Sequence, residues 1–261
     1  MSFSMPSNAT CRRGGLLSII PSRGFTPANP WDCSLSWPGF LNEVTLSRGI
    51  CVGYIPGPGD CVFDIGANCG LSTYCFSTLV GPEGRVIAFE PDPLSYSLLL
   101  RNIARHRLRN VTPVNAALAA TRGTAPFYAD GSIGSCLAGM PSLTTVAPVH
   151  AVETVTLEDA FSRWGEPDFC KIDIEGAEIQ VLTAAKQLLA KVSTHFALDT
   201  SHSVGGRPTA AAIEQIFRES GFEVESGLVS DAMTTWAKPR RRRRERSTRT
   251  AVFSNHSPAL V

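Results

Sequence analysis

Three short stretches of this chain combine residue types that chemistry needs. The first is Asp64-Ile65-Gly66-Ala67-Asn68-Cys69-Gly70, with Ser72 and Thr73 just beyond. An apolar run ends there, and a glycine-rich turn leads into a helical pattern. Gly66 permits a tight turn and close backbone approach, and Gly70 does the same at the helix entrance. A helix N-terminus offers free N–H groups and a partial positive charge to an anionic group. Ser72 and Thr73 add hydroxyl donors. The second stretch is Phe89-Glu90-Pro91-Asp92, in which Glu90 lies twenty residues after Gly70. An acid at the end of the second strand accepts the ribose hydroxyls of an adenosine. The third is Lys171-Ile172-Asp173-Ile174-Glu175-Gly176-Ala177-Glu178. Acids crowded at one strand end point to a raised carboxyl pKa or a bound cation. Asp173 is the candidate to accept or orient a hydroxyl proton.

The first stretch discriminates between ligands. A dinucleotide needs Gly-x-Gly-x-x-Gly, but Asn68 stands at the second glycine and Ser72 near the third. A Walker loop needs Gly-Lys followed by Ser or Thr, which is absent. S-adenosylmethionine carries no pyrophosphate. It offers one carboxylate and one amine, which a glycine turn and an acid can hold, and Asp64 suits the amine. Asn115-Ala116, at the third strand exit, is where topology would place an adenine edge. His202 follows the fifth strand and is a candidate general base beside Asp173, since an ordinary imidazole titrates near ~6.5. Asp92 and Glu178 also read as helix caps. No Asn-Pro-Pro-Tyr or Asp-Pro-Pro-Tyr occurs. That shifts weight from nitrogen to oxygen acceptors.

Strands alternating with helices must position these residues. The apolar runs at 61–65, 85–89, 111–115, 169–173 and 195–199 predict five strands. Helices are expected over 71–80, 93–107, 156–164, 177–189 and 208–220. Short antiparallel strands and a flexible stretch near Gly131–Gly139 fit the Ala-, Gly-, Ser- and Thr-rich segment 116–151. Late strands are expected at 222–225 and 233–236. The expected fold is α/β: a doubly wound, mostly parallel sheet with an antiparallel edge. Its ligands belong at the carboxyl ends of the strands.

Hydrophobic residues make up 43% of the 261, enough to build a core and exclude whole-chain disorder. The net charge of +1 hides an asymmetry. Residues 238–249 hold eight Lys or Arg and one acid, leaving 16 basic and 22 acidic residues elsewhere. A basic nucleic-acid-binding body is therefore not expected. The organisation reads as an irregular extension over 1–40, a domain over 41–237 and a basic, disordered tail over 238–261. No apolar run approaches the roughly 20 residues of a membrane span. The eight cysteines form no Cys-x-x-Cys, and no His completes a zinc spacing. Reduced thiols, a cytoplasmic location and no metal site are expected.

Val62 to Gly70, Ala88-Phe89-Glu90-Pro91, Val155 to Asp159 and Lys171 to Glu178 together resemble the FkbM family of adenosylmethionine-dependent methyltransferases. The resemblance covers about residues 42–237. It implies a class I methyltransferase sheet that moves a methyl group, commonly to a hydroxyl of a sugar or secondary metabolite. The acceptor would then be a small molecule or glycan. It also implies that Asp64, Gly66, Asn68 and Glu90 hold S-adenosylmethionine, with Ala67, Gly70, Ser72, Pro91, Asn115 and Ala116 around them. Many members place an acid shortly before a His after the fifth strand, whereas Asp199 and His202 here are three apart. Three other readings stay open. One is a nucleic-acid methyltransferase. Another is a noncatalytic RNA-binding protein acting through the Arg240–Arg246 tail. The third is a nicotinamide oxidoreductase, which the lack of a Tyr-x-x-x-Lys pair disfavours. Oligomeric state is not legible.

Overall fold

Each apolar run bounded by Gly or Pro folds as its pattern demands. The computed structural model describes residues 50–129, 135–137, 149–229 and 232–240. The extension over 1–40, most of the 131–139 stretch and the tail beyond 240 lie outside the described residues. Strand β1 (Cys61–Ile65) leads to helix α1 (Leu71–Val80), then β2 (Arg85–Phe89), α2 (Pro93–His106) and β3 (Val111–Val114). Next come β4 (Ala117–Leu118), β5 (Gly123–Tyr128), β6 (Cys136–Leu137), β7 (Val149–Val155) and α3 (Leu157–Trp164). Then follow β8 (Phe169–Ile172), α4 (Glu178–Ala184), α5 (Lys186–Leu189) and β9 (His195–Asp199). The chain continues through β10 (Ser203–Val204), β11 (Arg207–Pro208), α6 (Ala210–Glu219), β12 (Phe222–Val229) and β13 (Ala232–Pro239).

The main sheet has seven strands in the order β12-β13-β9-β8-β1-β2-β3. The pairs β9–β8, β8–β1, β1–β2 and β2–β3 are parallel. β13 runs antiparallel to both neighbours, so the edge is mixed as expected. The strand order reverses direction between β1 and β8. Crossovers run outward from that seam on both sides, opening a crevice beyond the carboxyl ends.

Alternation along the strands divides the core. Phe63, Ile65, Ile87, Phe89, Cys170 and Ile172 face one cluster, shared with α3, α4 and α6. Val62, Val86 and Phe169 face the other, with Phe76 and Val80 of α1. Full burial of each large side chain stabilises by about 1.5–3 kcal/mol. Asp64 shares the parity of Val62, and Lys171 that of Phe169. Both therefore face the α1 side, and they are direct neighbours in the β1–β8 register.

The caps follow the sequence. Asp92 accepts from the Leu94 and Ser95 amides at 2.8 and 3.0 Å, with Pro93 opening the first turn of α2. Thr156 and Asp159 form a reciprocal capping box on α3. Three expectations need correction. The helix expected over 177–189 breaks at Ala185 into α4 and α5. Residues 203–208 form a β10–β11 hairpin, which delays α6 to residue 210. Segment 116–151 contributes to a separate four-stranded sheet, β4-β7-β5-β6, in which β4 lies parallel to β7.

Candidate functional site

The ends of β1, β2 and β8 and the second sheet enclose an open cleft. Gly66, Asn68, Glu90, Pro91 and Ala116 line one side, with Asp173 and Glu175 also at its wall. Leu118, Phe127, Ser135 and Leu137 of the second sheet and its approach complete the lining. Six of the twelve candidate site residues thus converge on one cavity: Gly66, Asn68, Glu90, Pro91, Ala116 and Asp173.

Glu90 is almost fully buried, and its carboxylate is pinned by the chain around it. Oε2 accepts from the Asn68 amide at 2.7 Å and Oε1 from the Asp92 amide at 2.8 Å. Burial pushes its pKa up to about 7, against those two bonds. A carboxylate has about four lone-pair sites, so each oxygen keeps one for another donor. Asn68 takes a left-handed conformation (φ 50°), which its short amide tolerates. Asn115 donates from Nδ2 to the Glu90 carbonyl at 2.8 Å, tying the β3 exit to this corner without lining the cleft.

Asp64 departs from expectation. It is fully buried on the α1 side and does not line the cleft. Ser72 Oγ donates to both of its oxygens at 3.0 and 2.8 Å, and Thr73 Oγ1 to Oδ2 at 2.5 Å. Neither Asp64, expected to meet the ligand amine directly or through water, nor Ser72, expected as a hydroxyl donor, lines the cleft. Their polar atoms bind each other and fasten α1 to β1. Ala67 is core, packed with Ala88 and Leu99. The Gly66 and Ala67 amides both donate to the Phe89 carbonyl, so neither is free for a ligand. Gly70 is needed for helix packing: a Cβ there would sit 2.6 Å from Leu99 Cδ1. Gly66 meets the β8 exit, and a Cβ on it would lie 1.9 Å from the Asp173 carbonyl oxygen.

Lys171 was legible in the third stretch but carried no assigned role. Its signal is a lone cation inside a buried strand, which requires partners. Nζ donates to the Gly66 carbonyl at 2.7 Å and lies 3.6 Å from both Asp64 Oδ1 and Asp173 Oδ2. Burial pulls its pKa down, but Asp173, Asp64 and Glu90 outweigh that and raise it. Lys171 thus stays charged and locks the β1 and β8 exits together. Burial raises the Asp173 pKa, opposed by Lys171 and aided by Asp199 and Glu175. Asp173 also borders a second depression of about 390 Å³ lined by Ala197, Asp199 and Thr234.

His202 does face the Asp173 end of the cleft, through two acids. Nε2 lies 3.1 Å from Glu175 Oε2 and Nδ1 3.6 Å from Glu178 Oε1. Burial lowers its pKa, but Glu175 and Glu178 overcome this and lift it to about 9. In this arrangement the imidazole holds its proton at neutral pH, which weighs against its reading as a general base. Glu178 is fully buried, its pKa raised by burial to about 7. Its Oε1 accepts from the Ile174 and Gly176 amides at 3.0 and 3.4 Å, consistent with capping the turn before α4. Glu175 is left-handed (φ 55°). Asp173, Glu175 and His202 each offer one ligand atom, all within 4.8 Å of one another, so the absence of metal-ligand spacing in sequence did not foretell this grouping.

Among the described residues no helix is long and apolar enough to cross a membrane. Comparisons with known proteins agree with the architecture. The Methyltransferase FkbM domain model matches residues 64–224. The Methyltransferase sdnD of Sordaria araneosa is 24% identical over 201 residues, covering 62% of this chain and 73% of that protein. The Hexuronic acid methyltransferase AglP of Haloferax volcanii is 27% identical over 139 residues, 51% of this chain and 53% of its own length. A 51-residue segment is 47% identical to the 31-O-demethyl-FK506 methyltransferase FkbM of Streptomyces tacrolimicus, covering 20% and 19% of the two chains. This chain thus spans about half of AglP and a fifth of that FkbM protein. The crystal structure of the Methyltransferase FkbM from Methylobacillus flagellatus superposes with a TM-score of 0.54 at 14% identity, over 75% of this chain and 47% of that one. That likeness establishes a class I methyltransferase fold, and the family match places the chain in the FkbM methyltransferase family.

Proposed function

We propose that this chain methylates a hydroxyl group of a small molecule or glycan, using S-adenosylmethionine bound in the cleft at the ends of β1, β2 and β8. The observation that carries this reading is Glu90: a buried carboxylate, pre-oriented by two amides, on the wall of a cleft at the sheet's switch point. The fit to a nucleoside is chemical. Glu90 retains an acceptor site on each oxygen for a ribose diol, while Phe89, Pro91, Ala116 and Leu118 give apolar walls. S-adenosylmethionine supplies an activated methyl on a sulfonium, so no further activation of the donor is needed.

The chain's own residues then have three tasks. Glu90 and Asn68 hold the nucleoside end. The Lys171 lock fixes the spacing between the cofactor side and Asp173. Asp173 orients the acceptor hydroxyl and takes its proton as the oxygen gains the methyl. Its raised pKa makes it a better proton acceptor than an ordinary carboxylate. The acceptor enters beside Asp173, where the second depression adjoins it. Oxygen is favoured by the names of two relatives, one a hexuronic acid methyltransferase and the other a 31-O-demethyl-FK506 methyltransferase.

Titration of S-adenosylmethionine by calorimetry tests the reading. Glu90→Ala should weaken binding about 10-fold or more. Asp173→Ala should bind the cofactor nearly as the parent does while transferring less labelled methyl into an acceptor extract. Parent-like affinity in Glu90→Ala would remove the ribose assignment.

A further inference from the structure

Beside the proposed cofactor corner lies a cluster with a different chemistry. Asp173 sits at the β8 exit, Glu175 two residues on, and His202 in the loop after β9. One ligand atom from each falls within 4.8 Å of the others. Glu175 Oε2 and His202 Nε2 are 3.1 Å apart. Two adjacent ligands of an octahedral ion with bonds of about 2.1 Å are about 3.0 Å apart, so this pair already stands at ligand spacing.

A second observation points the same way from behind. Glu178 is fully buried, and its Oε2 has no hydrogen-bond partner among the described residues. His202 Nδ1 is likewise buried without one, although Glu178 Oε1 lies 3.6 Å from it. A metal-bound imidazole usually turns its second ring nitrogen to a carboxylate, which fixes the ring and strengthens the ligand. Here Nε2 faces Glu175 and Nδ1 lies 3.6 Å from Glu178 Oε1, so a cation would replace the proton that Nε2 now shares with Glu175 while Nδ1–H turned to Glu178. A leftover carboxylate oxygen in the interior is costly when nothing nearby needs its charge.

We propose that Asp173, Glu175 and His202 bind one divalent cation, with Glu178 as the outer carboxylate behind His202. Two carboxylates and one imidazole suit Mn²⁺ better than Mg²⁺, which prefers oxygen and its own water shell. The three remaining octahedral positions would be open to water or to an acceptor's oxygens. Vicinal hydroxyls or a carboxylate beside a hydroxyl are the groups that chelate such an ion. Use of the ion to hold an acceptor rests on the methyl-transfer reading, in which one Asp173 oxygen would ligate the ion and the other take the hydroxyl proton, whereas the binding itself does not rest on it.

The test is titration of MnCl₂ into the full chain by calorimetry, in parallel with S-adenosylmethionine. The expected result is one Mn²⁺ per chain, bound more tightly than Mg²⁺. Glu175→Gln and His202→Gln should each weaken Mn²⁺ at least 10-fold. Glu178→Gln should weaken it about 10-fold through His202. Retained S-adenosylmethionine affinity would show that these variants are folded. Pulsed electron paramagnetic resonance of the parent with Mn²⁺ gives an independent readout: nitrogen coupling from one imidazole is expected. No Mn²⁺ binding to the parent, no nitrogen coupling, or parent-like affinity in both ligand variants would overturn the site. Mn²⁺ binding without S-adenosylmethionine binding would spare the site and sink the methyl-transfer reading instead.

Discussion

Lys171 shows how one buried charge organises the floor of the cleft. Its ammonium bonds the Gly66 carbonyl and faces Asp64 and Asp173, so two loops from different strands share one cation. A buried pair contributes little net energy compared with an apolar replacement of both partners, but removing one partner strands the other's charge. Lys171→Met should therefore cost about 3–5 kcal/mol in urea denaturation, most of it from uncompensated Asp64. Parent-like stability would show that the Lys171 ion pairs add nothing to the fold. Glu90 makes a second prediction. Its pKa of about 7 means that much of it is protonated below neutrality, and a protonated carboxyl loses acceptor sites for a ribose diol. Affinity for S-adenosylmethionine should rise as pH climbs from 6 to 8, and Glu90→Gln should flatten that profile. The sequence located Glu90, Asp173 and Asn68 because strand-exit position alone brings them to the crevice. It left open where the Asp64 carboxylate points, because the face of the strand and the hydroxyls of α1 that meet it decide that. It left open the charge of His202, because its proton depends on Glu175 and Glu178, whose approach is set by loops.

At the scale of elements, β1 and β8 pass so close at their exits that Gly66 has no room for a side chain. A Cβ there would lie 1.9 Å from the Asp173 carbonyl, and the φ of 76° is itself unfavourable to other residues. Gly66→Ala should destabilise by about 2–4 kcal/mol in denaturant titration and displace Asp173. An unchanged midpoint would mean that the two exits can separate freely. The elements that were legible share one property. β1, α1, β2 and β9 begin and end where expected, because each is a single apolar or amphipathic run with local stop signals. The second sheet was only sketched, for its pairings are not local: Ala117 pairs in parallel with Thr154 across the intervening chain. The break at Ala185 likewise has no Gly or Pro in the run to mark it.

For the whole molecule, two buried acids and one half-buried imidazole make stability fall with rising pH. Glu90 and Glu178 have pKa values raised to about 7, so their contribution is complete below about 4.5 and lost as pH rises through 7. His202, raised to about 9, contributes fully below about 6.5 and loses that contribution through 9. Thermal melts of the ligand-free chain should therefore decline from pH 5 to 9. Glu178→Gln should blunt the slope between 5 and 7, and His202→Gln that between 7 and 9. A melting temperature that climbs steadily over this range would contradict the burial of Glu90 and Glu178 and the pairing of His202 with its two acids. The cleft itself is built from unequal parts. Its base is fused: the Gly66 turn, Lys171 and Asp173 are in contact, and a change in any one disturbs the others. Its cover comes from the second sheet, through Phe127, Ser135 and Leu137, none of which belongs to that fused base. A lineage, or an engineer, seeking a new acceptor would meet little resistance in recutting the cover, while the donor grip beneath stayed as it was.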